Sequence, residues 1–242
     1  MSHVHTSKGT LAEITLNSKY LGTAERLLIY TPERYSPLYS YPVLYVQDGD
    51  DYVSMGRLAT LLDQLTAEKQ IAGVIAVFLP VDKAKRRARY HPDGAEHQAY
   101  KRFLAEEVVA YVDRHYSTYP LGSARTLLGE SLGGVVSLFT ALTYPHTFGQ
   151  VASQSAAMDE ELNRRVAAME IPAHLHIYLE VGTDETAVDT SRGTLDLVAG
   201  NEALRDLLQQ KNVTLTYETF SGDHTWGYWQ QNLPRILRAF FG

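Results

Sequence analysis

The chain has 242 residues and no cysteine, which excludes disulfides, thiolate metal sites and cysteine nucleophiles. It also lacks a long apolar run. The most apolar stretch, around residues 71–81, is interrupted by Gly73 and Pro80 and is shorter than the ~18 residues of a membrane span. The first residues do not form the apolar core of a signal peptide. These absences predict a cytoplasmic protein that does not interact with membranes.

Positive charge is also scarce, since the net charge is −6 at pH 7. A chain of this sign is not expected to bind nucleic acid. Hydrophobic residues make up 45% and charged residues 21%, an ordinary balance for a folded globular protein. We therefore expect one domain over residues 1–242; the sequence leaves the oligomeric state open.

Histidines and carboxylates are the remaining metal-binding side chains, and the spacing of the histidines does not favour a metal site. His174 and His176 are two residues apart, while His91, Asp93 and His97 cluster loosely. No H-E-x-x-H or comparable arrangement is present. We expect neither a metal nor another cofactor.

Short apolar runs alternate with amphipathic segments along the chain. Unbroken runs of this length are typical of strands that are buried on both faces, as in parallel sheets. The predicted strands cover residues 11–16, 26–31, 43–46, 73–79, 125–128, 148–153, 175–181 and 213–220. The predicted helices cover residues 55–69, 96–116, 132–142, 195–210 and 228–241, with a weaker helix at 159–169.

This alternation predicts an α/β fold with a mostly parallel central sheet and helices on both faces. The first two strands precede any helix and are expected to pair antiparallel. A sheet of this kind places its functional site at the carboxyl ends of its strands. Only about twenty residues, 153–172, separate the sixth and seventh strands, so we expect no large lid domain.

The most informative motif is Gly129-Glu130-Ser131-Leu132-Gly133-Gly134, which fits the G-x-S-x-G nucleophile elbow. A predicted strand leads into it and an apolar predicted helix leads out, which is the context that this motif requires. Such a turn holds the serine in a strained conformation at a helix N-terminus. A glycine-rich turn with an incidental capping serine is the alternative. The context favours Ser131 as a nucleophile.

A serine nucleophile needs a general base, and His224 follows the last predicted strand in a glycine-containing loop. The acid that orients such a histidine should follow the preceding strand, where Gly182-Thr183-Asp184-Glu185 lies. Glu185 is preferred because the acid commonly stands three residues after this glycine. Asp184 remains an alternative, and Asp189 is a more distant one.

Stabilisation of an oxyanion requires two donors, and the first is expected from the backbone amide of Leu132. The second should come from the loop after the third strand, residues 47–51. The amide of Asp50, or that of Gly49, is the expected donor.

Several segments together resemble the esterase-D-like esterases, a family that includes enterochelin (siderophore) esterases and feruloyl esterases. The segments that carry the resemblance are 43–49, 86–92, 103–107, 129–134 and 222–226 with Trp229. It extends from about Val43 to the C-terminus. The resemblance implies an α/β-hydrolase fold, with Ser131 as nucleophile, His224 as base and Glu185 at the position of the acid, where the family varies. Glu130 departs from the small or neutral residue that is more usual inside the elbow.

A basic cluster precedes the long helix at 96–116 and contains Lys83, Lys85, Arg86, Arg87 and Arg89. One interpretation is that Arg86 or Arg89 orients an acidic or catechol-like acyl group through a forked hydrogen bond. The other, which we favour, is a solvated charged loop or an internal ion pair.

The sequence thus predicts a serine carboxylesterase that acts on a small or exposed ester, with a small molecule as its partner. An acyltransferase that uses the same residues, or a non-catalytic binding protein of this fold, are the alternatives.

Overall fold

A computed structural model describes residues 8–190 and 193–242. Its centre is an eight-stranded sheet with the order β1-β2-β4-β3-β5-β6-β7-β10. Strand β2 pairs antiparallel with β1 on one side and with β4 on the other, and the remaining neighbours pair parallel. These strands are β1 (Thr10–Asn17), β2 (Ala24–Thr31), β3 (Val43–Gln47), β4 (Ile75–Leu79), β5 (Arg125–Glu130), β6 (Gln150–Gln154), β7 (His176–Gly182) and β10 (Thr214–Phe220), while β8 (Val188–Thr190) and β9 (Gly193–Leu195) form a separate hairpin.

The connections between the parallel strands are helical. The α-helices are α1 (Gly49–Ser54), α2 (Leu58–Ala67), α3 (Lys83–Tyr90), α4 (His97–Arg102), α5 (Val109–His115), α6 (Leu132–Thr143), α7 (Glu160–Ala167), α8 (Leu197–Gln209) and α9 (Trp226–Phe241). A π-helical segment (Phe103–Val108) joins α4 to α5, and a short 3₁₀ turn (Gly122–Ala124) precedes β5.

The sheet is buried on both faces because alternate residues of its strands enter two separate cores. In β3, Val43 and Tyr45 pack into one core, and Leu44 and Val46 pack into the other. Helix α6 contributes Val135, Val136 and Leu138 to the first core. Helices α2 and α9 cover the second core, with Leu58, Leu62, Leu65, Leu233, Ile236 and Leu237.

The architecture confirms the predicted fold class, including the antiparallel pairing of the first two strands. Three local predictions need correction. The segment predicted as one helix at 55–69 is α2 alone, preceded by the separate α1. The segment at 96–116 is helical but contains the π-helical segment. One stripe of its buried residues, Tyr100, Leu104, Val108 and Val112, recurs every four positions, which exceeds 3.6 residues per turn, and the wider turn compensates for the resulting drift.

The third correction concerns the basic segment, which is helix α3 rather than a loop. Asp82 caps it by accepting a hydrogen bond from the amide of Ala84 at 2.9 Å. The lysines, arginines and alanines that follow are good helix formers. The helix ends at His91, which is extended and precedes Pro92.

The carboxyl ends of the parallel strands lie at one edge of the sheet and lead into the connections of interest. The loop after β3 leads into α1, the end of β5 leads into α6, and the loop after β10 leads into α9. No helix in the part of the chain that the structure describes is long and apolar enough to cross a membrane.

Candidate active site

Ser131 occupies the sharp turn between β5 and α6. Its backbone has φ 53° and ψ −121°, a region that residues with a side chain rarely adopt. The motif requires glycines because a side chain at these positions would collide with neighbouring atoms. A Cβ on Gly129 would lie 2.3 Å from the carbonyl carbon of Gly133, and one on Gly134 would lie 2.2 Å from Ser153 Oγ. The turn therefore presents the seryl oxygen at the N-terminus of α6.

His224 connects this serine to a carboxylate. Its Nε2 lies 3.0 Å from Ser131 Oγ, and its Nδ1 lies 2.6 Å from Glu185 Oε2. Because the carboxylate accepts a hydrogen bond from Nδ1–H, the Nε2 lone pair faces the seryl hydroxyl. The fold brings the serine and the histidine together across 93 residues of sequence. This geometry is that of a general base beside a nucleophile.

Of the three acids considered from the sequence, the structure brings Glu185 to the histidine. Its side chain is fully buried, and its second oxygen accepts hydrogen bonds from the amide of Gly182 at 2.8 Å and from Ser155 Oγ at 2.6 Å. The exposed Asp184 accepts instead from Thr183. Asp189 lies in the β8–β9 hairpin and accepts a hydrogen bond from Thr194.

Sequence reasoning missed the residues that hold Glu185 in place. Ser155, just after β6, donates to Glu185 and accepts a hydrogen bond from Trp229 Nε1 at 2.9 Å. The Trp229 ring also packs edge-on against His224, with their ring centroids 4.8 Å apart. Trp229 belonged to the family resemblance, but its role could not be read from it. Ser155 gives no sequence signal, because nothing local distinguishes it from other residues at a strand end.

The amides considered for an oxyanion hole lie at two helix N-termini. Leu132 is the first residue of α6, and Gly49 and Asp50 are the first two residues of α1. Amides in a first helical turn have no carbonyl partner within their own helix. The neighbouring amide of Asp48 is unavailable, because it donates to Tyr90 Oη at 3.1 Å. The donors expected from the sequence thus remain the candidates.

A buried ionic cluster lies directly beside the elbow. Arg86 donates from Nε to Asp48 Oδ1 at 2.7 Å and from Nη2 to Asp48 Oδ2 at 2.9 Å. The same Nη2 lies 3.1 Å from Glu130 Oε1. Burial, together with the negative charge of Asp48, raises the pKa of Glu130 to about 8 although Arg86 opposes the shift. The Glu130 carboxyl inside the elbow is therefore a nearly buried partner of Arg86, at 6% exposure.

The two arginines proposed for substrate binding differ in their surroundings. Arg86 lines the pocket beside His224, but its guanidinium is engaged by two carboxylates of the protein. Arg89 is 3% exposed and is bonded to Glu25 and Glu96. The hydrogen bonds of Arg89 are directed at internal partners, which favours the internal ion pair over a role in orienting an acyl group. For Arg86, the structure shows the internal ion pair that the sequence left as the favoured alternative.

An open pocket of about 390 Å³ lies over these groups. Its lining is largely polar, and its apolar members are Val81 and Trp229. The charged and titratable lining residues are Asp48, Asp50, Asp51, Lys83, Arg86, Glu130 and His224. Among the residues that the structure describes, no group of three or more histidines and carboxylates is arranged to hold a metal ion.

The parallel sheet with helices on both faces and the strand-turn-helix elbow define an α/β-hydrolase fold. The chain belongs to the family described as "Putative esterase", whose model matches residues 18–240. This membership makes it an ester hydrolase by class. The resemblance to enterochelin and feruloyl esterases that the sequence indicated is confirmed.

Individual relatives agree with this assignment. The chain is 43% identical over 232 residues to the protein YjcH of Bacillus subtilis (strain 168), covering 95% of this chain and 97% of that protein. The enterobactin esterase FES from Shigella flexneri superposes with a TM-score of 0.80 at 22% identity, covering 95% of this chain. The ferulic acid esterase AmCE1/Fae1A from Anaeromyces mucronatus superposes with a TM-score of 0.75 at 19% identity, covering 100% of this chain and 94% of that one.

The structural likenesses at this level of identity show a shared fold. The chain spans only 59% of the length of the Shigella enterobactin esterase. Similarity to that protein therefore does not extend over its whole length.

Proposed function

We propose that this protein is a serine carboxylesterase in which Ser131 is the nucleophile, His224 the general base and Glu185 the acid that orients it. The observation that carries the proposal is the continuous hydrogen-bond relay, 3.0 Å from Ser131 to His224 and 2.6 Å from His224 to Glu185. A non-catalytic protein of this fold has no need of a strained serine aligned with a histidine and a buried carboxylate.

Acylation begins when Ser131 Oγ attacks the ester carbonyl carbon and His224 Nε2 accepts the seryl proton. Glu185 stabilises the imidazolium that forms. The carbonyl oxygen becomes an oxyanion, and the amides of Leu132 and Asp50 are the donors that we assign to it. Collapse of the tetrahedral intermediate breaks the bond to the alkoxy oxygen, and His224 gives its proton to the departing alcohol.

Deacylation repeats these steps with water as the nucleophile. His224 takes a proton from water, the hydroxide adds to the acyl carbon, and the Ser131 ester bond breaks. The proton held by His224 returns to Ser131 Oγ. The products are the carboxylic acid and the free enzyme, so one water is consumed for each ester that is cleaved.

The pocket favours esters with short or polar acyl groups. Most of its lining residues are charged or titratable, and Val81 and Trp229 are its apolar members. A long aliphatic chain would lie against carboxylates and solvent without burying its methylene groups, each of which is worth about 0.8 kcal/mol. The similar enterobactin and ferulic acid esterases are named for compounds with hydroxylated aromatic acyl groups. Such groups are therefore further candidates for the acyl part of the substrate.

Hydrolysis of p-nitrophenyl acetate, butyrate and palmitate by the native protein and three variants tests this proposal. Ser131→Ala is expected to lower kcat/KM by at least about 1,000-fold, and Glu185→Gln by about 100-fold or more. Asp184→Asn is the matched control, because it changes the adjacent acid, which is exposed, and is expected to stay within about twofold. The palmitate ester should be the poorest substrate. Full activity of Ser131→Ala, or equal losses in both acid variants, would contradict the assignment.

A further inference from the structure

Arg86 connects the two segments that supply the candidate oxyanion donors. On one side its guanidinium forms a fork with Asp48, the residue before α1. On the other side its Nη2 contacts the Glu130 carboxylate at 3.1 Å and the Glu130 carbonyl oxygen at 3.5 Å, one residue before Ser131. These partners are 38 and 44 residues away in sequence. The pairing of β3 with β5 ends at Val46 and Leu128, and Arg86 links the two segments beyond that point.

Hydrogen bonds hold both the backbone and the side chain of Asp48 in place. Its backbone is left-handed with φ 50°, and its amide donates to Tyr90 Oη at 3.1 Å. Its carbonyl oxygen accepts hydrogen bonds from the amides of Asp51 at 2.9 Å and Tyr52 at 3.2 Å. Its carboxylate is held by Arg86. The direction of the next two amides, which include that of Asp50, follows from this fixed residue.

The carboxylate of Asp48 also packs directly against the elbow. A Cβ on Gly133 would lie 2.6 Å from Asp48 Oδ2, so the carboxylate fills the space that a side chain there would need. Asp48 is 4% exposed and Glu130 is 6% exposed, whereas the Arg86 side chain that joins them is 25% exposed at the pocket. The loop after β3 and the turn at Ser131 are therefore held at a fixed separation by charge-assisted hydrogen bonds.

Two residues of helix α3 make these contacts with Asp48. Arg86 and Tyr90 are four residues apart and so lie on the same helix face, from which both reach Asp48. The guanidinium carbon lies 5.4 Å from the centre of the Tyr90 ring. The ammonium group of a lysine could not form the same pair of hydrogen bonds with Asp48 or lie over the Tyr90 ring in the same way.

We propose that Arg86 is a positioning residue for the oxyanion hole. Through its contacts with Asp48 and Glu130, it fixes the position of the Asp50 amide relative to the Leu132 amide. The inference rests on the proposed esterase function and extends it to a residue that acts through Asp48 and Glu130. Oxyanion donors act only when they lie at hydrogen-bond distance from the developing charge, and a displacement of about 1 Å can cost about 100-fold in rate.

The chain offers a matched control on the same helix. Arg89 is more deeply buried than Arg86 and also bonds two acidic side chains, Glu25 and Glu96, but neither belongs to the elbow or to the loop after β3. Arg86→Met and Arg89→Met therefore remove comparable ion pairs. Both are expected to lower the midpoint of urea unfolding, whereas only the first should alter the chemistry.

The experiment measures kcat and KM for p-nitrophenyl butyrate and the inhibition constant of phenylboronic acid, which forms a tetrahedral adduct with an active serine. Arg86→Met is expected to lower kcat by about 10- to 100-fold with KM within about threefold, and to weaken the boronic acid by a similar factor. Arg86→Lys should recover the charge but less than a tenth of the kcat that was lost. Arg89→Met should keep kcat and the boronic acid constant within about twofold.

The inference is overturned if folded Arg86→Met keeps the kcat of the native protein, or if Arg89→Met loses as much kcat as Arg86→Met does. A failure of the proposed function has a different signature, because the native protein itself would then show no turnover that depends on Ser131. If Arg86→Met does not fold, Asp48→Asn provides the same test. It keeps the shape of the side chain, weakens the fork with Arg86, and should lower kcat and boronic acid affinity together.

Discussion

Three residues of the candidate site adopt positive φ although they carry side chains. They are Asp48 at 50°, Ser131 at 53° and Ser155 at 48°. Each lies at the carboxyl end of a parallel strand, where the chain must turn at once so that its side chain points at the site. Such conformations cost about 1–3 kcal/mol each and persist only where surrounding contacts enforce them. At the residue scale, the site is therefore built at the expense of local stability.

Glu130 makes the stability of the folded protein depend on pH. Burial raises the pKa of its carboxyl from the usual 4.5 to about 8. Between these pH values the native protein keeps a proton that the unfolded chain releases, so stability falls as the pH rises through this window. The charged groups that act on it are Asp48, Arg86, Asp51 and Glu185.

Glu130→Gln should remove this dependence. The free energy of unfolding of the native protein is expected to fall, relative to that of the variant, by a few kcal/mol between pH 5 and pH 8. Urea unfolding at intervals of one pH unit measures the difference. Glu160→Gln, which removes a carboxylate that is 92% exposed, controls for the change in net charge. Parallel curves for the native protein and Glu130→Gln would contradict the buried carboxyl as the cause.

At the scale of elements, the strand-turn-helix unit of β5 and α6 is the part of the site that sequence predicts best. All of its determinants are local: a buried strand, glycines at fixed positions and an apolar helix. Helix α3 was missed because the charge of its residues indicated a solvated loop. Its partners, Asp48 and Glu130, are distant in sequence, so neither its ion pairs nor its role could be derived from spacing.

The close packing inside this unit makes a specific prediction about its first glycine. Gly129→Ala is expected to lower the free energy of unfolding by roughly 2 kcal/mol or more, because its Cβ would lie 2.3 Å from backbone atoms of Gly133 that cannot move independently. Gly227→Ala is the matched control. Its Cβ would meet nothing closer than Thr225 Oγ1 at 3.9 Å, and it lies inside α9.

The control substitution should be neutral or stabilise the protein by up to about 1 kcal/mol, since alanine favours a helix over glycine. Chemical unfolding of both variants measures the two effects. Equal effects of the two substitutions would show that the elbow tolerates a side chain at Gly129 and would contradict the described packing.

At the scale of the whole molecule, the order of strands and helices was predictable because buried parallel strands and amphipathic helices have distinct periodicities. The two cores of the sheet follow from the same alternation. The pairing of the acid with His224 was only partly predictable. Asp184 and Glu185 are adjacent, and the turn after Gly182, which buries one and exposes the other, is set by contacts with Ser155 and with the carbonyl oxygen of Gly222.

The central claim is that the fold activates Ser131, and covalent labelling with a fluorophosphonate tests it most directly. The native protein should gain one adduct, located by peptide mass spectrometry on Ser131, and Ser131→Ala should gain none. His224→Ala should label at least about 100-fold more slowly, because the serine then lacks its base. If the folded native protein remains unlabelled, or if Ser131→Ala labels at the native rate, Ser131 is not the nucleophile and the account of the site is wrong.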